Sequence, residues 1–249
     1  VEFGLPDLAD PDAFWRAFPA YREQRLRFED VSDASLFLER PRLAWGYFGS
    51  RLLAARARQP HAGVALLARL RGRAPGGGFA VTSSVEGLLL RAGFDSRRLV
   101  ECRGSLHWLQ CTKECGAPLT SAEELSIEVD PVTLLARDPL PRCPACGAGA
   151  RPNVLLLSDW SWDMSRVTAQ DDRLQAWLAR ARKRELSLVV LEVGESPRLP
   201  LLRPYVRRAI RGLDARVVRI SDDDCAVPEG GVGVPLGPRE GLAAVEQAL

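Results

Sequence analysis

Histidine is almost missing from this sequence. Its 249 residues include two, His61 and His107, so any reaction that needs an imidazole base has only these to draw on. Charge imbalance is missing as well. The 34 Lys+Arg stand against 32 Asp+Glu, a formal net charge of +2, which gives no general field for holding nucleic acid or an anionic membrane. Long apolar runs are missing too: the richest stretches, 154–157 and the interrupted 186–193, fall far short of the ~20 residues of a membrane span. No charged-then-apolar leader opens the sequence. A cytoplasmic protein is expected, with neither membrane nor nucleic acid among its partners.

What is present is 46% hydrophobic content, enough for a substantial core in one large domain or in one domain with a small insertion. Apolar residues at helical spacing predict helices over 11–18, 41–57, 62–71, 171–184, 200–212 and 239–249, and a helical turn over 87–93. Short apolar runs predict strands over 79–82, 99–101, 154–157, 186–193 and 216–220. Strands alternating with helices imply an α/β fold with a parallel, doubly wound sheet. Between about 106 and 150 the alternation stops, and cysteine and proline replace the long apolar periods.

Four of the six cysteines form two close pairs, Cys111-x3-Cys115 and Cys143-x2-Cys146, with 27 residues (116–142) between them. Three disulfides are the other arrangement open to six cysteines, but paired knuckles in a long chain without a leader point to a closed tetrahedral Zn²⁺ site. Four closed ligands make a structural metal rather than a catalytic one. Gly116 and Gly147 follow the second cysteine of each pair, where a knuckle must turn its backbone toward the sulfurs. Cys102 and Cys225 stand alone as core or loop residues. The expected organisation is a large domain made of 1–105 and 151–249, with 106–150 inserted as a four-cysteine zinc module.

Several segments then fall in a recognisable order. They are Gly4-Leu5-Pro6-Asp7; Thr82-Ser83-Ser84-Val85-Glu86-Gly87-Leu88 with Arg91-Ala92-Gly93; Glu101-Cys102-Arg103-Gly104-Ser105-Leu106; the cysteine pairs; and Arg151-Pro152-Asn153-Val154 followed by Asp159-Trp160. Over essentially its whole length the chain resembles the sirtuins, the NAD-dependent protein-lysine deacylases, and most of all a bacterial branch with Arg-Pro-Asn and Asp-Trp after the zinc module. The resemblance implies a Rossmann-like doubly wound sheet of the NAD/FAD-binding kind, a small inserted zinc-binding domain, and a cleft between them for NAD and an acyl-lysine. It also implies a reaction that stabilises a cationic sugar, excludes water and uses a histidine general base.

The family's chemical positions are altered. Arg103 stands at the position of the family's histidine, and a guanidinium stays protonated across the accessible pH range. Ser84 and Glu86 replace the asparagine and aspartate that hold the nicotinamide amide and a site water. After Pro6-Asp7, Leu8-Ala9 replaces Phe-Arg, removing a shield and a phosphate contact. Gly194-Glu195-Ser196 replaces the nucleotide-contacting Gly-Thr-Ser and brings a carboxylate toward the phosphates, which repels NAD unless Glu195 turns away. Ser221 replaces the asparagine near the adenosine ribose. Leu157-Ser158-Asp159 replaces the Phe-Gly-Glu that pairs with the substrate peptide, with Val154 leading into it. The Gly-Ala-Gly phosphate loop would precede Val1.

The resulting expectation is a catalytically impaired pseudo-sirtuin that acts by binding a peptide or a protein partner, such as an active homologue or another enzyme subunit, with structural Zn²⁺ and an NAD site in doubt. The alternative is an NAD-dependent deacylase or mono-ADP-ribosyltransferase with a non-standard base, for which His107 is the candidate. His61 is expected to cap or pack the helix that follows it. A nucleic-acid module is the third reading, opposed by Glu123, Glu124, Glu128 and Asp130 between the knuckles. Trp15, Trp45, Trp108 and Trp177 are expected in the core or at the domain junction. Trp160 and Trp162 are expected to share one side of an extended segment lining the cleft or a partner surface.

Overall fold

The structure, a computed structural model, describes residues 10–195, 200–211, 213 and 215–248. Proline, aromatic and arginine residues dominate the opening helices α1 (Pro11–Ala17), α2 (Pro19–Glu23), α3 (Phe28–Val31), α4 (Leu36–Glu39) and α5 (Pro41–Ala57). Three of them begin on a proline, which lacks the N–H that a first helical turn leaves unbonded anyway. Next come α6 (Ala62–Arg73), β1 (Ala80–Thr82), α7 (Leu88–Arg91), β2 (Leu99–Glu101), β3 (Gly104–Cys111), β4 (Thr120–Ser121) and β5 (Ala150–Val154). The chain closes with α8 (Ser165–Lys183), β6 (Leu188–Val193), α9 (Arg203–Ile210), β7 (Ala215–Ile220), β8 (Val232–Val234) and α10 (Pro238–Gln247).

The parallel strands form two sets, β1 with β2 and β6-β7-β8. Helices cover both faces. On one, Leu66, Leu67 and Leu70 of α6 and Leu242 of α10 pack on Leu191, Val193 and Ile220. On the other, Val167, Leu174, Trp177 and Leu178 of α8 pack with Val81, Val100 and Leu188, joined by Tyr205 of α9. Leu188 therefore faces opposite to Leu191 and Val193, as the twofold alternation of a strand requires. This is the doubly wound α/β arrangement.

A third, antiparallel sheet in the order β4-β3-β5 carries the cysteine segment against the helical start of the chain. Phe14, Tyr21, Phe37, Trp45, Tyr47 and Phe48 form one aromatic core with Leu106 and Leu109 of β3 and with Ala122, Ile127 and Ala136 beyond it. The indole of Trp45 donates to the Ala150 carbonyl at 3.0 Å, fastening α5 to β5.

Several elements differ from the sequence reading, each for a local reason. β5 covers Ala150–Val154 rather than 154–157, because its register runs Cys111↔Ala150 and Gln110↔Arg151. Its polar residues are buried against polar partners, so its apolar pattern was hidden. α8 begins at Ser165 rather than 171, where the Asp163 carboxylate accepts the Ser165 N–H at 2.9 Å. α9 begins at Arg203, with Pro204 in its first turn. β8 was not foreseen, being three residues around a glycine. Trp160 and Trp162 do not share a side, because the segment turns instead of extending. Trp160 is 97% exposed, whereas Trp162 packs beside Val100 and Val167. Among the described residues no helix is long and apolar enough to cross a membrane.

Candidate functional site

The four thiols of Cys111, Cys115, Cys143 and Cys146 come together, all sulfurs lying within 4.8 Å of one another. Cys111–Cys146 and Cys115–Cys143 are 3.6 and 3.7 Å apart. A Zn–S distance of about 2.3 Å in a tetrahedron sets neighbouring sulfurs about 3.8 Å apart, so this donor set fits zinc. Cys111 ends β3 and the second pair precedes β5, so the antiparallel β3/β5 ladder brings the two halves of the site together. Gly116 and Gly147 have φ of 80° and 71°, the left-handed turn that the knuckles required of them. The Lys113 N–H points at the Cys111 sulfur at 3.3 Å.

A second cluster forms where α5 meets the segment after β1 and the start of β3. Arg51, on the fourth turn of α5, is ion-paired with Glu86. The other Glu86 oxygen accepts from the Ser84 hydroxyl at 2.8 Å and from the Val85 N–H at 3.2 Å. Burial alone would push the Glu86 carboxyl up, but Arg51 and the Ser84 hydrogen bond hold it below the usual carboxylate range. Tyr47, one turn before Arg51, has its hydroxyl 3.5 Å from that guanidinium. His107 reaches the same cluster from β3, its Nε2 lying 3.0 Å from the Glu86 backbone carbonyl.

Arg103 lies in the turn between β2 and β3, where its carbonyl accepts the Leu155 N–H at 2.9 Å. Its guanidinium has neither hydrogen bond nor ion pair among the described residues. Burial, followed by the like charge of Arg51, presses it below the ordinary arginine value, while Cys102, Glu86 and Tyr47 act the other way. The structure thus brings Arg103, Ser84 and Glu86 into one neighbourhood. It adds Arg51 and Tyr47, which sequence reasoning missed because both sit inside a regular core-facing helix.

At the ends of β6 and β7, Gly194 takes φ 67° and donates its N–H to the Ile220 carbonyl at 3.0 Å. Glu195 turns inward: its carboxylate accepts the backbone N–H groups of Leu202 and Arg203 at the start of α9. Its side chain is 4% exposed, and burial raises its pKa. It fills a helix N-terminus of the kind that elsewhere receives phosphate. The Ser221 hydroxyl is likewise occupied, accepting the N–H groups of Asp223 and Asp224 at 3.2 and 3.1 Å. Arg203 is paired with Asp224 and Arg219 with Glu192. Among the described residues this end holds Glu192, Glu195 and Asp222–Asp224 against Arg203 and Arg219, an excess of carboxylates that does not suit a diphosphate. Pro6, Asp7 and Ser196 lie outside the described residues.

Beyond β5, the Leu157 N–H bonds the Ser32 carbonyl at 2.9 Å and the Leu157 carbonyl accepts the Ala34 N–H at 3.3 Å. One edge of the segment after Val154 is therefore taken by the chain's own 32–34 stretch. Ser158 holds φ 51°, a conformation that favours glycine. The Asp159 carboxylate is fully buried and takes both its oxygens to Arg151, at 2.7 and 2.8 Å. Leu157 and Ser158 also border a groove of about 500 Å³ whose wall includes Glu29, Asp33 and Glu39. His61 caps α6, its Nδ1 accepting the Gly63 N–H at 3.0 Å.

No family model matches the chain. It is 29% identical over 177 residues to a protein of Thermus thermophilus named NAD-dependent protein deacylase, covering 68% of this chain and 61% of that one. A Deinococcus radiodurans protein of the same name is 31% identical over 193 residues, covering 76% of this chain and 67% of that one. The chain thus spans between about three fifths and two thirds of the length of these relatives. Among solved structures, one described as a Sir2 homolog–NAD complex has a TM-score of 0.66 at 20% identity, covering 98% of this chain and 84% of that one.

Proposed function

The chain belongs to the sirtuin family, and from that premise we propose that it is a catalytically impaired sirtuin that acts by binding a peptide or a protein partner on a zinc-stabilised scaffold. One observation carries this reading: the residue at the position of the family's histidine is Arg103, a partly buried guanidinium. A group that holds its proton throughout the working pH range cannot remove one from a ribose hydroxyl. The inward Glu195 adds to it, since its carboxylate takes the amide groups a nucleotide phosphate would use. In this reading 106–150 is the inserted zinc module, 1–105 with 151–249 form the larger lobe, and Leu157-Ser158 borders the peptide site.

Calorimetric titration of the zinc-loaded chain with NAD and with ADP-ribose tests it. No saturable binding in the micromolar range is expected for either. Micromolar affinity for NAD would return the protein to the enzymes.

The shared name of the relatives favours a second reading, an NAD-dependent deacylase or mono-ADP-ribosyltransferase that uses another base. His107 is the only imidazole in the cluster, and its Nε2 is engaged with the Glu86 carbonyl. Activity with NAD and an acyl-lysine peptide that disappears in His107→Ala would support this route; activity that persists there would remove it.

A further inference from the structure

We propose that the end of the parallel sheet where β1 and β6 begin is a docking surface for the phosphate backbone of a nucleic acid, held without recognition of its bases. The inference goes beyond the reading above and does not depend on the NAD site, since Arg97 and Arg98 precede β2 whereas Arg103 follows it.

Three elements meet there around the turn Gly76-Gly77-Gly78. The Trp177 indole of α8 donates to the Gly76 carbonyl at 3.2 Å, and a Cβ on Gly76 would come 2.9 Å from Leu186, just past the end of that helix. Nη1 of Arg98 lies 3.8 Å from where a Cβ on Gly77 would stand. The stem of Arg71, near the end of α6, packs against Gly78, and its guanidinium lies 5.8 Å from the Phe94 ring centroid. Arg73 closes α6, Arg97 stands beside Arg98, and the end of α8 adds four more cations between 180 and 184. The stretches 71–78, 95–98 and 180–186 thus bring together eight cations and two carboxylates, Asp95 and Glu185. Asp95 is paired with Arg97 at 3.3 Å. The carboxyl ends of α6 and α8 supply about half a negative charge each, too little to offset the excess. The Nε of Arg71 and the Nη1 of Arg98 lie beneath the surface with no hydrogen-bond partner among the described residues. The formal charge of +2 conceals this concentration, because the three stretches are far apart in the chain and meet only in the fold.

The chemistry of the face selects its partner. All but Lys183 of the eight cations are arginines, whose planar fork of donors matches phosphate oxygens. The large apolar side chains that the described residues expose, Trp160, Leu38 and Val132 among them, all lie outside these stretches. A protein interface is built on apolar or aromatic anchors, whereas a nucleic-acid interface is polar and strongly positive. This face has the second character. With no exposed aromatic ring in these stretches to stack on a base, it holds phosphates and does not read sequence.

The test is fluorescence anisotropy of the zinc-loaded full chain with a labelled random-sequence DNA duplex at about 50 and about 200 mM salt. Saturable binding is expected, weakening at least tenfold between the two salt concentrations. Arg73→Glu combined with Arg184→Glu should weaken it at least tenfold at low salt, and Arg73→Gln combined with Arg184→Gln should weaken it less. Arg22→Glu combined with Arg239→Glu, an equal change of net charge on α2 and α10, should leave it within twofold. All four side chains are exposed, so the variants are expected to fold; melting scans check this, and the glutamine pair serves where the glutamate pair does not fold. No saturable change at low salt, or equal losses in the two glutamate pairs, overturns the proposal. Displacement of the duplex by polyglutamate as readily as by unlabelled duplex at equal charge also overturns it, and would assign the face to acidic protein segments.

Discussion

The Nε2 of His107 lies 3.0 Å from the backbone carbonyl oxygen of Glu86. A carbonyl only accepts, so this nitrogen carries the hydrogen, and the side of the ring that faces the cluster has no lone pair to offer. His107→Leu should therefore leave any nicotinamide release from NAD unchanged while costing about 1 kcal/mol of stability from the lost hydrogen bond. Denaturant unfolding beside a nicotinamide assay checks both. Activity that vanishes in a folded variant would make His107 the base.

Glu86 makes stability depend on acid. Its folded pKa lies below its unfolded value, which is about 4.3 for a glutamate. Its contribution is thus complete above that unfolded value and is lost as pH falls through the lower, folded one. Glu86→Gln should lose about 3 kcal/mol at neutral pH, because Arg51 is left without its charge partner, and should flatten the fall in stability below roughly pH 4. Thermal unfolding from pH 3 to 7 measures both. An equally steep acid loss in the variant would show that other carboxylates dominate.

Glu195 carries the opposite sign. Burial raises its pKa, so its charged form is disfavoured in the folded state, and stability is regained as pH falls through the folded value. Glu195→Gln keeps an acceptor for the α9 amide groups without the charge, and should be at least as stable as wild type at pH 7. A clear loss of stability there would mean that the carboxylate charge itself holds the start of α9.

Ser158 adopts a left-handed backbone, φ 51°, which costs a side-chain-bearing residue about 1 kcal/mol. Ser158→Gly should stabilise the chain by that order, read from the shift in denaturant midpoint. A loss would indicate that the hydroxyl makes a compensating bond.

The zinc set should hold one metal ion per chain, as its single cluster of four thiols implies. Chelation, or Cys143→Ser, should lower the melting temperature, because the β3/β5 region is fastened to the aromatic core on one side and to these thiolates on the other. Metal analysis with a melting scan tests this. Full stability in metal-free protein would contradict it.

Much of this arrangement was legible in the sequence. Helix Pro41–Ala57 and strand Leu99–Glu101 took their predicted bounds, the helix from apolar residues at helical spacing and the strand from a short apolar run. The cysteine pairs announced their site by spacing, and the His61 cap by its place before α6. Less could be read where polarity was buried. β5 hides Arg151 and Asn153 in its interior, their side-chain N–H groups donating to Asp159, Gln110 and the Asp163 carbonyl, so the apolar run just beyond it looked like the strand. Arg51 reads as one more surface arginine until α5 is packed against Glu86, a partner 35 residues away. The inward turn of Glu195 depended on α9 starting at Arg203, which no local signal fixed.

The most direct measurement is nicotinamide release from NAD in the presence of an acyl-lysine peptide, comparing wild type with Arg103→Ala. A guanidinium at the base position predicts that the wild-type rate does not exceed that of the alanine variant. A wild-type rate well above it would show that Arg103 takes part in turnover, and would contradict the account.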